Sequence, residues 1–435
     1  MADNPVARAL GRASFAGAFG DTAYARSMLS FERALAQAQG DAGLIPAAAA
    51  LRIAAACDAL YPPSEKLVDE ARRSGSLAIP LVKALTEEVR KHDAAAAAFV
   101  HYGSTSQDVL DTALVLCLKP CLDVADRVLG TAAVQLAAHA RRHARVLMLG
   151  RTLLQPASPI TAGLKIARWA NSLGRCRSRL AAAASRALCV QLGGAVGALD
   201  SLGAKRSAIR AAVARRLGLA DGAAWHTQRD PLLALGAELA ILIGAIGKIA
   251  RDLALLSQAE IQEMQESPGG GGSTAMPHKR NPVACMQALA ASARAPGLLA
   301  TLLYAAGQEH ERALGAWQAE LATWPDLVEA AGGALDAIER IAAGLVVNAE
   351  RMAANLEATR GSVFSERLAR HLAARMDRTA ASTKVEEWCV QAMQDGRHLK
   401  LVAGAALGED LAQVFSVDAL LAGLQPALDE QLAGL

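Results

Sequence analysis

Residues 230–266 constrain the fold more than any other stretch. Asp230 and Pro231 open it, and no further proline appears until Pro268. Proline in a first helical turn, followed by none, predicts one helix of more than thirty residues. Such a helix is roughly 50 Å long at 1.5 Å per residue. Its middle, residues 232–249, reads LLALGAELAILIGAIGKI. Glu238 and Lys248 interrupt this run, so no uncharged span reaches the roughly 18–20 residues a bilayer requires. A helix apolar on most sides belongs inside a large bundle. Gly236, Gly244 and Gly247 weaken it locally but permit close helix contacts.

Helical spacing recurs over residues 30–39, 108–118, 122–149, 164–190, 282–304 and 327–343. Pro120 is expected to kink or interrupt its helix. No run alternates apolar and polar residues long enough to predict a strand. Composition agrees: 53% of residues are hydrophobic but only 3% aromatic. A core of Ala, Leu, Val and Ile suits close helix packing better than sheet packing. The expected fold is all-α, with a central bundle of long helices. Boundaries are expected near residues 105 and 350. They give an N-terminal helical domain (1–105), a central bundle (106–350) and a C-terminal helical domain (351–435). Helices this long expose more apolar surface than one bundle covers, which predicts association with other copies.

Bulk charge narrows the partners. A formal net charge of +3 argues against nucleic-acid binding driven by charge. The seven cysteines are odd in number and lack a CxxC pair. Cys117 and Cys121 lie one helical turn apart with no His pair to complete a metal site. Reduced buried thiols in a reducing cytoplasm are the expectation. The N-terminus, MADNPVARALGR, shows no apolar signal segment.

Polar loops carry the chemistry. In HYGSTSQD (101–108), Ser104 with Gln107 and Thr105 with Asp108 both have capping-box spacing. A helix start also offers free N–H groups and a positive dipole end, which suits a carboxylate. In GRTLLQPASP (150–159), Thr152 and Gln155 either face a ligand or cap the next helix. In WHTQRD (225–230), Asp230-Pro231 is a natural helix start, which leaves His226, Thr227, Gln228 and Arg229 without an obvious structural need. In SPGGGGSTAMPHKRNP (267–282), four glycines give freedom while Pro277 and Pro282 stiffen the far side. A mobile loop carrying Ser273, Lys279 and Asn281 reads as a catalytic lid. Arg312, in QEHERALGAWQAE (308–320), suits either a surface or a site. NLEATRG (355–361) reads as a helix end at a domain junction.

GSTAMPHKRNP closely resembles the signature loop of the fumarase/aspartase superfamily. HYGSTSQDVLDTA, GRTLLQPASPITAG, HTQRD and NLEATRG resemble its other characteristic segments, in the same order, over about residues 5–380. The resemblance implies a three-domain all-α fold and a homotetramer whose active sites are shared between subunits. It implies a small polycarboxylate substrate and no metal or organic cofactor. By position, Ser273 matches the serine that transfers a proton at the carbon beside a carboxylate. Lys279 and Asn281 match the residues that steady the carboxylate as it becomes an aci-carboxylate. Thr105 and Ser106 match carboxylate-binding hydroxyls. His92 and His101 match active-site histidines, and Gln228 and Arg312 match substrate-binding positions, of adenylosuccinate lyase. Ser104, Thr152, Gln155 and Arg229 complete the expected substrate-binding set.

Departures select a branch. C–N lyases of the superfamily carry Thr-His where this chain has Thr152-Leu153, so the general acid for a leaving nitrogen is missing. Adenylosuccinate lyase holds a phosphate with a serine and an arginine at the positions of Trp317 and Leu321. An indole and a leucine cannot hold a phosphate in that way. IPLVKAL (79–85), WHTQRD and HERALGAWQAE instead resemble the cycloisomerase branch, whose bacterial members act on 3-carboxy-cis,cis-muconate. The alternatives are a C–N lyase of the argininosuccinate/adenylosuccinate type, and a non-catalytic bundle that kept the fold. The intact STAMPHKRNP argues against the latter.

Overall fold

The structure, a computed structural model, describes residues 5–61, 64–267, 271–272 and 275–434. Among them seventeen α-helices dominate, and four short strands form two two-stranded sheets. The fold is all-α. It comprises two compact units, each built from three stretches of chain. One holds Met1–Val128, Cys176–Ile246 and Gln287–Asp336; the other holds Leu129–Arg175, Gly247–Met286 and Ala337–Leu435.

In the first unit the Asp21–Asp41 and Ala47–Ala59 helices pack together, with Phe31, Leu35 and Ile53 buried between neighbours. Burying each such side chain contributes roughly 1.5–3 kcal/mol. The longest helix, Ser106–Arg142, has 37 residues and runs through Pro120 without ending. The proline lacks an N–H and forgoes one ladder bond. Leu114, Leu118 and Cys121 are buried around it, and that packing keeps the helix continuous.

The second unit contains what the sequence pattern hid. Residues 147–161 form an antiparallel hairpin, Leu147–Thr152 paired with Gln155–Thr161. Two prolines, Pro156 and Pro159, and a register shift at Leu149/Gly150 erase any alternation. Gly150 is required there, because a Cβ would lie 2.4 Å from the Ser158 carbonyl oxygen. The turn residues, Leu153 and Leu154, have φ of 50° and 67°. Two residues at positive φ are the mark of a type I′ turn, normally signalled by Asn-Gly. Two leucines conceal it.

The Asp230–Leu256 helix has 27 residues, about 40 Å, and stops short of the expected Glu266. After Leu256 the apolar period ends. The chain turns through Gln262 at φ 52°, and Met264–Gln265 pairs with Val346–Val347 as a short sheet. By length and composition this helix and Val283–Ala305 could each cross a membrane, a test that buried core helices also pass. Residues 365–414 build their own core around Leu368, Leu372, Trp388, Leu399 and Leu411.

Candidate active site

In the first unit, the start of the Ser106–Arg142 helix is organised by Asp108. Its carboxylate accepts the Thr105 N–H at 3.1 Å, which is the reverse half of a capping box. It also accepts the Gly193 and Gly194 N–H groups at 2.9 Å each and the Gln191 amide at 3.0 Å. His226 Nε2 lies 3.2 Å away. Asp108 thus ties the helix start to the 191–194 segment and to the WHTQRD loop. Ser104 and Gln107 do not form the second capping box that their spacing suggests: the Ser104 hydroxyl donates to Asp108 at 3.4 Å.

One turn further on sits a buried ion cluster. The Arg229 guanidinium donates to both Asp111 oxygens, at 2.7 and 3.1 Å, and to both Glu320 oxygens, at 2.7 and 2.9 Å. Its remaining N–H goes to the His226 carbonyl at 3.1 Å. All five donors are satisfied within the protein, and the side chain is 1% exposed. The expectation that Arg229 binds substrate is therefore corrected: no donor remains for a ligand. Burial alone would depress its pKa, but the two carboxylates reverse that and raise it. Burial pushes Glu320 up against the pull of Arg229, and the neighbouring Asp111 carboxylate adds a smaller push the same way.

Arg312 is placed differently. It is exposed, and one edge of its guanidinium is held: Nε donates to Gln107 Oε1 at 3.2 Å, and Nη2 to Thr105 Oγ1 at 2.8 Å and the Ala195 carbonyl at 3.2 Å. Nη1 makes no bond among the described residues. The Thr105 hydroxyl oxygen accepts from Arg312 and keeps its own hydrogen for a ligand. Thr105 and Arg312, distant in sequence, are thus brought together. Trp317 is buried with its indole N–H on Asp111 at 2.9 Å, and Leu321 helps line an apolar cavity of about 660 Å³ in the same unit. Neither offers a phosphate a donor.

The two predicted histidines part company. His101, at φ 60°, places Nδ1 2.5 Å from Glu32 Oε1. Burial alone would lower its pKa, but the Glu32 carboxylate more than offsets that and raises it. A raised His pKa contributes stability that is complete below about pH 6.5 and fades as pH climbs through the higher folded value. Thermal melts of the wild-type and His101→Gln proteins should therefore differ most near pH 6 and converge toward pH 9. A gap that does not change with pH would show that His101 stays neutral. His92, at the end of the Ala78–His92 helix, is exposed, 3.6 Å from Glu88. Gln228 is exposed, and Ser106 is half-buried at the helix start.

In the second unit, the hairpin is anchored by Arg151, whose guanidinium grips both oxygens of buried Glu263 at 2.7 and 2.8 Å. Asn355 donates to the same carboxylate at 2.9 Å, so NLEATRG is a packed anchor as well as a helix end. Thr152 and Gln155 face each other across the turn, both exposed. In the glycine loop, Ser273 lies outside the described residues. Its flanks form a clasp: Gly272 bridges Arg280, and the Asn281 N–H donates to the Gly271 carbonyl at 2.9 Å. Gly271 has φ 72°, and a Cβ there would stand 2.1 Å from the Asn281 oxygen. Glu266 accepts the Ala284 and Cys285 N–H groups, 3.1 Å each, which pins the loop's base to the Val283–Ala305 helix. Lys279 and Asn281 are exposed.

Sequence reasoning passed over Glu32, Gln107, Asp111 and Glu320 as site builders, and His226, which the sequence leaves without an obvious structural need, finds one beside Asp108. The one available signal was polar residues at helical spacing in apolar runs, as in QDVLDT. Among the described residues no three of His, Cys, Asp and Glu are grouped to hold a metal.

An all-helical chain with hydroxyls set at a helix start and a glycine loop ending in KRNP falls among the helical lyases. A family model described as lyase matches residues 11–297, and the chain belongs to that family. It is 44% identical over 403 residues to a 3-carboxy-cis,cis-muconate cycloisomerase of Bradyrhizobium diazoefficiens, covering 92% of this chain and 89% of the relative. Among solved structures, it resembles the 3-carboxy-cis,cis-muconate lactonizing enzyme from Pseudomonas putida, with TM-score 0.91 and 38% identity over 99% and 98% of the two chains. A fumarate lyase from Mesorhizobium sp. BNC1 follows at TM-score 0.88 and 31% identity, over 98% and 99%.

Proposed function

We propose that this chain is a cycloisomerase that converts 3-carboxy-cis,cis-muconate into a carboxymuconolactone. One carboxylate of the substrate adds to a carbon of a C=C bond, forming a C–O bond. The displaced π pair is taken up as a C–H bond at the neighbouring carbon. Nothing leaves, so the reaction needs no acid at position 153. The observation that carries the reading is the Arg312–Thr105 pair, which offers a cation and a hydroxyl to an anion, while Trp317 and Leu321 line an apolar cavity of the same unit and offer a phosphate nothing.

In this reading Ser273 supplies the carbon proton, while Lys279 and Asn281 steady the carboxylate that becomes an aci-carboxylate. Arg312, His101 and the Ser104–Ser106 helix start balance a trianion. His92, Thr152, Gln155 and Gln228 are further binding positions. The resemblance supports three domains (1–105, 106–350, 351–435) and a cytoplasmic homotetramer with shared active sites. Exposed Leu153, Leu154, Met286 and Tyr304 support such association.

The test mixes purified protein with 3-carboxy-cis,cis-muconate and follows loss of the diene absorbance. Loss without release of any second product supports the proposal. No loss, together with fumarate release from a succinyl-type substrate, replaces it with the lyase reading that the resemblance to a fumarate lyase keeps open.

A further inference from the structure

We propose that Gln107 is a positioning residue: it fixes the Arg312 guanidinium so that one end faces the substrate anion. The inference rests on the reading of Arg312 as an anion-binding residue. Gln107 is fully buried. Its Nε2 donates to Asp111 Oδ2 at 3.1 Å and to the His226 carbonyl at 2.9 Å. Both partners are acceptors, so the amide cannot flip without turning its oxygen onto two others.

Asp111 cannot turn away either. It accepts four hydrogen bonds: two from Arg229, one from Trp317 and one from Gln107. With both N–H groups of Gln107 committed inward, Oε1 is left to accept from Arg312 Nε at 3.2 Å. Thr105 and Ala195 hold the rest of that edge. Arg312 is exposed and its side chain is long, so free of this edge it would sample many rotamers. The buried cluster thus reaches the substrate through one amide, and Gln107 acts on binding rather than on chemistry.

The experiment is a double-mutant cycle on the full-length protein, with 3-carboxy-cis,cis-muconate as substrate. Gln107→Met keeps the volume and removes the acceptor together with the donors to Asp111 and the His226 carbonyl, both of which keep Arg229. It should raise KM about tenfold, the scale of one hydrogen bond to a charged group, and leave kcat within about twofold. Arg312→Gln should raise KM at least as much. In the Arg312→Gln background, Gln107→Met should add nothing. Additive effects, or a fall in kcat at unchanged KM, would overturn the positioning role while leaving Arg312 in place. An unchanged KM for Arg312→Gln would overturn the Arg312 reading and this inference with it. Should Gln107→Met not fold, Arg312→Lys decides: it keeps the charge but has no planar edge to rest on Gln107. A tenfold rise in KM sustains the inference and an unchanged KM overturns it.

Discussion

Ser273→Ala is expected to lower kcat by about 10²–10⁴-fold, the usual contribution of a positioned proton donor. Substrate KM and the size of the assembly should stay close to wild-type. The expectation follows from the resemblance of GSTAMPHKRNP and from what surrounds the serine. Gly271–Gly272 and Arg280–Asn281 form a clasp on either side of it, and Glu266 pins the loop's base. The flanks are held without any hydrogen bond from Lys279 or Asn281 side chains to a described residue, so both remain available to a ligand. A serine hydroxyl delivers a proton to carbon only where the resulting alkoxide is strongly stabilised. Backbone N–H groups of a glycine loop and the Lys279 ammonium suit that task. The measurement is steady-state kinetics on the purified variant, with gel filtration alongside. Turnover within about threefold of wild-type would remove Ser273 from the chemistry and direct attention to Lys279.

Much of the fold was legible because helix period and alanine-rich packing are local signals. The Asp230–Leu256 and Val283–Ala305 helices begin where their prolines and caps place them. The hairpin at 147–161 was not legible. Its register depends on a bulge at Gly150, and its turn uses two leucines in a conformation that sequence normally marks with glycine and asparagine. Loop residues proposed to contact ligand were easier to nominate than those that hold them. Thr105 and Arg312 stood in conspicuous polar loops. Gln107 and Asp111 stood in an apolar helix, where a polar side chain shows its purpose only once Arg229, Trp317 and Arg312 arrive from distant stretches of chain. Arg229 shows the converse: it was nominated because its loop looked free, and tertiary structure placed it in the core.

That burial makes Arg229→Met the substitution with the largest expected effect on stability. Methionine approximates the volume of the arginine stem, so little cavity is left. What remains is two carboxylates, Asp111 and Glu320, facing each other without a cation. Removing one partner of a buried ion pair typically destabilises by about 3–5 kcal/mol. The His226 carbonyl loses one of its two donors and keeps Gln107, so the WHTQRD loop should loosen only in part with the cluster. Glu320→Gln should be far milder, within about 1.5 kcal/mol. Burial already raises the Glu320 pKa, and a neutral amide there leaves Arg229 and Asp111 as a matched pair. The two variants also separate by pH. As pH falls, Glu320, already pushed up by burial, takes up a proton in Arg229→Met, the repulsion fades, and the gap to wild-type should narrow. Urea unfolding of all three proteins at pH 8 and pH 5.5 checks this. Equal losses for Arg229→Met and Glu320→Gln would mean that packing, not charge, sets the cluster's contribution.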